Sequence, residues 1–437
     1  MADLLNSTQM LANDEKKLIA HDFDTFAMHL KRNSILNRLV GKMPKGTSGA
    51  AETIKRQTTA HMPIVRGLDL GVGRGDELKF NLINPVKATP IMGDDMAKGN
   101  EIGLSGSQSR LRIDQARFPV SLGGVMSDIR NPIRMRELAR PQALSLMNRY
   151  ADQSYLVHLA GARGFQDNVE WVIPLASHAK FNEIMVNPVK APTKNRHFIA
   201  NGDGVKEFSS AVSGGALGVQ STDLLTLDTV DCMKSVIGSI ALPPPMVIFD
   251  GDKQATDKPL RVWLMSPAQY SQFAALPDFR KFQANAIARA SVAKNHPIFL
   301  GEAGLWNGFL IVEMPKPIRF YTGNEIKYCA DASSETESTI QVPDLGDDYA
   351  IDRSIILGGQ SLIEGFGKNE DTKTPIFWKE ETEDYGNRKG LLIGTIRGVA
   401  KTRFNVNVSG NALNPQNEFI DYGVIAVDTV VKLNGVR

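Results

Sequence analysis

The chain is short of everything that covalent cross-linking, membrane insertion or catalysis would need. Its 437 residues hold two cysteines, Cys232 and Cys329, far apart and outside any CxxC spacing. They read as free buried thiols of a reducing compartment, not as a disulfide framework or a zinc site. A chain of this length buries a large core without such staples. No secretory leader is expected, because Asp3, Asp14 and Glu15 stand where one would be cationic and then apolar. The longest apolar run, Ser235 to Phe249, is interrupted by Pro243, Pro244 and Pro245 and is too short to span a bilayer. The expectation is a soluble protein made in a cytoplasm, with no membrane partner.

Catalytic signatures are missing in every class considered. None of the seven histidines lies in HExxH or pairs with a cysteine at zinc spacing. There is no GxSxG and no P-loop. Asp250, Asp252 and Asp257 miss the calcium-loop spacing and read as a solvated turn. Gly71–Gly75 (GVGRG) is the best cofactor motif. A dinucleotide fingerprint needs its glycines to end a strand and open a helix, so that the helix N-terminus meets the pyrophosphate. Here Asp76 and Glu77 lead into a strand pattern instead. No catalytic, cofactor-binding or metal residue is assigned, and no cofactor is expected.

Net charge is only +2, which excludes a wholly basic nucleic-acid binder. The charge is uneven, however. Residues 110–149 carry eight arginines against three acids, and residues 331–384 carry fourteen acids against four cations. Either both are solvated faces, or the basic segment of one copy docks on the acidic segment of another. Such complementarity fixes register more than affinity.

The stretch around which the rest is arranged runs from Asn131 to Gly164 and reads as one long helix. Asn131 is a candidate N-cap and Pro132 suits the first helical position. Leu144, Met147, Ala151, Tyr155 and His158 recur at spacings of three and four, so they share a face. Gly161 and Gly164 stop it. Pro141 either kinks the helix or marks its true start.

Upstream, an amphipathic helix with Phe23, Phe26 and Leu30 on one face is followed by a loop-rich linker. It has no obvious partner within the chain. Leu78, Phe80 and Leu82, and later Leu111 and Ile113, alternate with polar residues. They predict two strands of an extended hairpin separated by a long polar excursion. Such a hairpin is marginal alone and needs a surface to lie on. Downstream, Trp171 to Leu175 is a candidate strand and Asn195 to Gly218 reads as a surface loop. Residues 226–325 predict helices capped by Thr226 or Asp228, after Ser266-Pro267 and over Phe279 to Val292. Strands are predicted at Leu260 to Met265, Phe309 to Glu313 and Ile318 to Tyr321. Residues 326–390 read as acidic and loop-rich around Ile355 to Leu357, and strands return at Leu391 to Ile396 and Val424 to Leu433.

Four segments carry a resemblance: Leu159 to Gly164 (LAGARG), Trp263 to Tyr270 (WLMSPAQY), Leu357 to Ser361 (LGGQS) and Tyr422 to Ile425 (YGVI). With the order arm, hairpin, long helix, α/β region and terminal strands, the chain resembles the major capsid proteins of tailed bacteriophages with the Hong Kong 97-type fold, in particular the coat family of large podoviruses. The resemblance implies an α+β fold and a shell protein of the virion, assembled in the host cytoplasm. It implies an N-terminal arm (1–62), an extended hairpin loop (63–122) and a peripheral domain with the spine helix (123–225). An axial domain (226–370) and C-terminal strands returning to the peripheral domain (371–437) complete it. Partners would be copies of the chain as hexamers and pentamers, portal, scaffold and decoration proteins, and packaged double-stranded DNA held without sequence reading. Phe23, Phe26 and Leu30 would anchor the arm on a neighbour, and Arg110, Arg112 and Arg117 would be hairpin contacts. No motif selects among Lys79, Lys87 and Lys98 for a crosslink. The alternatives are a nucleotide-dependent enzyme using Gly71, Gly73 and Gly75, or a minor virion structural protein.

Overall fold

The computed structural model describes residues 15–41, 61–67, 77–83, 90–93, 96, 106–124, 135–202, 204–249, 260–276, 304–369, 374–409 and 416–433. An arm helix (Glu15–Leu30) and a short helical turn (Ile35–Arg38) come first. They are followed by β1 (Ile64–Gly67), β2 (Glu77–Ile83), β3 (Gly106–Arg112), β4 (Asp114–Gly124) and the long helix (Met135–Ala160). Next are β5 (His197–Asn201), β6 (Gly204–Glu207), β7 (Val212–Ser213), β8 (Ala216–Leu217) and a helix at Leu227–Ser239. Then come β9 (Arg261–Met265), a helix at Pro267–Ala274, β10 (Gly304–Trp306), β11 (Phe309–Glu313), β12 (Ile318–Phe320), β13 (Glu325–Cys329) and β14 (Glu337–Gln341). The chain closes with β15 (Tyr349–Leu357), β16 (Leu362–Phe366), β17 (Ile376–Glu383), β18 (Arg388–Lys401), β19 (Arg403–Asn407), β20 (Asn417–Asp421) and β21 (Val424–Lys432).

Two sheets share the long helix. The five-stranded sheet runs β1-β16-β18-β17, with β4 also paired to β18. The eight-stranded sheet runs β10-β11-β9-β15-β21-β5-β6, with β12 paired to β15. At 1.5 Å per residue the 26-residue helix is about 39 Å long, enough to cross both. Its first half sets Ala139, Ala143 and Met147 on Ile376, Trp378, Leu391 and Ile393 of the five-stranded sheet. Its second half sets Tyr155, Leu156, Leu159 and Ala160 into the main core with Ile351, Ile355 and Leu357 of β15. The opposite face of the eight-stranded sheet is covered by Val230, Met233, Ile237 and Phe273 of the two shorter helices. β15 and β21 are therefore buried on both faces, which explains their nearly continuous apolar sequences.

Both shorter helices start at a residue their sequences offer as a cap, the first at Thr226 with Asp228 inside its first turn. Thr226 and Thr229 exchange bonds in a capping box, and Ser266 and Gln269 do the same with Pro267 at the first turn. Each such cap is worth about 1 kcal/mol. The long helix continues through the exposed Pro141, so that proline marks neither a start nor a stop. The helix stops where expected. Gly161 and Gly164 have φ of +65° and +71°, and a Cβ there would lie 2.4 Å from the Lys190 carbonyl oxygen and 2.8 Å from the Arg319 amide nitrogen. Only glycine fits either place.

Several expectations fail for identifiable reasons. Trp171 to Leu175 forms no strand. Gln153 of the long helix accepts from the amides of Val172 and Ile173 and donates to the Glu170 carbonyl, so a side chain does the work of a strand partner. The surface loop expected at Asn195 to Gly218 contains β5, a buried strand parallel to β21. The region read as loop-rich, 326–390, contributes five strands, β13 to β17. Its central strand was hidden because Asp352, Arg353 and Ser354 interrupt the apolar pattern, yet all three are fully buried. Asn131, Pro132, Gly71 to Gly75, Asp250 to Asp257 and the helix predicted at Phe279 to Val292 lie outside the described residues.

Candidate assembly surfaces and the buried charge behind them

Four buried acidic side chains knit the body together, and two of them, Glu364 and Asp428, tie the long helix to the sheets. Glu364 on β16 receives Arg66 Nε at 2.6 Å, Arg397 at 3.2 Å and the Tyr155 hydroxyl of the long helix. Burial alone would raise its pKa, but Arg66, Arg397 and Arg32 outweigh it and hold the carboxyl down at about 2. Asp428 on β21 takes both ends of the Arg353 guanidinium, at 2.7 and 2.8 Å, and the His197 ring at 2.8 Å. Arg353 also donates to the Ala160 carbonyl, so a buried cation closes the C-terminal end of the long helix. Asp352 pairs with Arg319 and accepts from the Ser266 cap. Asp421 pairs with Arg403 and Lys401, each at 2.7 Å, and accepts from the Thr193 amide. Sequence reasoning missed all four. The available signal was a lone acid inside an apolar run, as in VIAVDTVV around Asp428.

These pairs surround no cleft chemistry. Each acid is paired with at least one cation, and no group of three His, Cys, Asp or Glu side chains could hold a metal among the described residues. Among those residues no helix is long and apolar enough to cross a membrane.

The predicted contact residues fall in three places. The arm helix, expected to lie on a neighbour, seats its second half on its own chain. Phe26 packs edge-on against Phe366 with ring centres 5.3 Å apart, and the Trp378 indole donates to Thr25. His29 bonds Asn148, and Arg32 pairs with Asp152 of the long helix at 2.8 Å. Phe26 is thus packed within the chain, against Phe366 of β16 and the cluster that includes Ala139, Ala143 and Met147 of the long helix. Leu30 is half-buried, whereas Phe23 and Met28 are exposed.

The hairpin forms, but its second strand begins inside the stretch expected as polar excursion and ends before Ile113. β2 pairs with β3 from Glu77–Arg112 to Ile83–Gly106. Beyond it, Ile91, Met92 and Met96 are all exposed, Met92 and Met96 by about three quarters of their surface. Arg110 and Arg112 are exposed on β3, Arg110 lying 3.9 Å from Glu77. Arg117 belongs instead to β4, opposite Gly394 of β18. It lines an open groove of about 590 Å³ with Lys379, Glu381, Arg388 and Lys389, a basic surface over an apolar floor.

Two sheets strapped by one long helix, a hairpin separate from both sheets and exposed apolar side chains beyond it define the class of a shell-building subunit. A sequence profile described as phage capsid protein matches residues 9–433, and the chain belongs to that family. No curated protein matches it. Among solved structures, the capsid of Ralstonia phage GP4 is similar at 23% identity, with 90% of this chain and 96% of that chain covered and a TM-score of 0.62. The cyanophage Pam1 capsid asymmetric unit follows at 16% identity, 90% and 97% coverage and 0.57. The acid-stable capsid of Helicobacter pylori bacteriophage KHP30 follows at 12% identity, 91% and 92% coverage and 0.52. The fold is thus the mixed α/β phage capsid fold of Hong Kong 97 type. The chain is a structural protein of the phage head shell and not an enzyme, its place is the virion, and the nucleotide-enzyme alternative falls away.

Proposed function

We propose that the chain closes the head as hexamers and pentamers through its hairpin and the basic surfaces beside it. The observation that carries this reading is the hairpin tip, where Ile91, Met92 and Met96 leave apolar area in water that a neighbouring copy would cover. The segment boundaries follow the same reading. The arm is 1–62, the hairpin loop 63–122, the peripheral domain 123–225, the axial domain 226–370 and the returning strands 371–437. The last divides, since β17 and β18 lie under the long helix whereas β21 sits between β15 and β5. On the arm, Phe23 is the outward anchor, with Phe26 and Leu30 seating the helix that presents it. Arg110, Arg112 and Arg117 meet acidic groups of a neighbour, and the acid-rich segment 331–384 supplies them. Portal, scaffold and decoration proteins are further partners, and packaged double-stranded DNA is held without sequence reading. Closed symmetry turns many modest contacts into one stable shell.

Reversing all three arginines to glutamate tests the reading. The side chains are exposed, so the isolated subunit should keep its melting temperature within about 1 °C. Shell formation, followed by light scattering and negative-stain microscopy, should fail. Normal shells would remove these arginines from the interface.

A further inference from the structure

The segment after the short helix Phe181–Met185 contains a strained turn. Val186 has φ 64° and ψ −56°, and the Asn187 amide bonds back to the Met185 carbonyl at 2.7 Å. This is the γ-turn of positive φ, which is rare and strained, and a β-branched residue is the least suited to it. Such strain persists only where its surroundings impose it, and it marks positions with a task.

The task is visible in what Asn187 touches. Its side chain is 5% exposed and points at the end of the hairpin. Its Oδ1 accepts from the Arg112 amide at 2.9 Å, and its Nδ2 donates to the Arg112 carbonyl at 2.9 Å and to the Val399 carbonyl of β18 at 3.0 Å. Arg112 is the last residue of β3, and β4 begins at Asp114. One buried amide therefore stands in for a strand residue at the point where the hairpin leaves the five-stranded sheet. The sheet is shaped to receive it. A Cβ on Gly398 would lie 1.9 Å from the Arg112 carbonyl oxygen, so only glycine lets the junction sit so close. The turn itself is held by the long helix. The Tyr150 hydroxyl donates to the Ile184 carbonyl at 2.8 Å, and the His158 ring bonds the Met185 carbonyl.

We propose that the Val186–Asn187 turn is a latch that fixes the direction in which the β2–β3 hairpin leaves the body, and that Asn187 is the positioning residue coupling it to the long helix. The latch rests on the reading that the hairpin makes contacts between subunits. It adds that the angle of the hairpin is set from inside the subunit, before any neighbour arrives. A second point of attachment further along β3, from Ser107 to the Asn405 carbonyl, gives the hairpin one hinge and one rest on its own chain.

The test uses the full-length unassembled subunit. With Asn187→Ala, amide hydrogen exchange at Arg112 to Gln115 should accelerate at least tenfold, while protection in β15 and β21 is unchanged. Val186→Gly keeps the Asn187 bonds and relieves the turn, so it should leave that exchange slow and raise the melting temperature. Should the alanine chain not fold, Asn187→Ser reads the same contact with a hydroxyl donor retained. In assembly, Asn187→Ala should give misshapen or slow-forming shells and Val186→Gly normal ones. Unchanged exchange at the hairpin base overturns the latch. So does a loosened hairpin that still builds normal shells while deletion of residues 85–105 blocks them. If that deletion itself builds normal shells, the contact role of the hairpin fails, and the latch is judged by exchange alone.

Discussion

Replacing Glu364 by glutamine removes one charge from the most heavily shared ion cluster of the subunit. The carboxylate is fully buried and faces Arg66, Arg397 and, through Tyr155, the region of Arg32. Arg32 also pairs with Asp152, while Arg66 and Arg397 both lie directly on the Glu364 carboxylate. The pKa gives the size of the effect. A carboxyl moved from 4.5 to about 2 gains about 3 kcal/mol from folding at neutral pH. Breaking a buried pair from one side costs about 3–5 kcal/mol, because buried cations lose compensating charge. At about 2 °C per kcal/mol for a chain of this size, Glu364→Gln should lower the melting temperature by about 6–10 °C. Calorimetry or circular dichroism of the unassembled subunit reads it. The sign of the pH dependence follows from the depressed pKa. The stabilisation is present above about 4.5 and is lost as pH falls towards about 2, so wild type and variant should converge in acid. Adding Arg66→Met to Glu364→Gln should recover part of the loss by removing one of the buried cations that Glu364 compensates. A melting temperature lowered by less than about 1 °C, or a double variant worse than the sum of its singles, would refute the assignment of Glu364 as the keystone between β1, β16 and the long helix.

Two further outcomes test other links. Burial holds the His158 and His197 rings at about 4 and lowers His29 as well, so each is neutral when folded. A depressed histidine stabilises above about 6.5 and loses that contribution as pH falls through 6.5 towards 4. At pH 5, His158 and His197 should each have given up about 2 kcal/mol. Denaturant midpoints at pH 7.5 and 5 should show the drop, and His158→Gln should flatten it; equal slopes would argue against a buried neutral ring. Gly161→Ala meets both a positive φ and the Lys190 carbonyl, whereas Gly202→Ala meets only a positive φ with open space around it. The first should cost well over the second, which should stay near about 1 kcal/mol. Equal costs from urea titrations would show that the loop at Lys190 yields freely.

Much of the fold was legible because its signals are local. The helix caps at Thr226 and Ser266, the glycine stop at Gly161 and the alternation in β2 and β3 depend on residues a few positions apart. The resemblance carried by LAGARG and WLMSPAQY extended that to the family, and one of these motifs now has a physical reason in the two glycines that no side chain could replace. What went unread was polar and distant. Asp352 and Arg353 break the apolar pattern of β15, and their partners Arg319 and Asp428 lie 33 and 75 residues away. The seat of the arm helix is not legible locally, because its partners Asn148, Asp152 and Trp378 lie more than a hundred residues downstream.

The sequence by itself determined where helices begin and end, which strands alternate, and that no catalytic constellation is spelled out in any motif. It could do so because caps, glycine turns and apolar periods act over one or two turns of chain. Only the tertiary structure decided which charges are buried, where the arm rests and how the hairpin is aimed. Those depend on groups such as Glu364 and Asn187 meeting partners brought together by the packing of two sheets on one helix, and no spacing in the chain encodes that meeting.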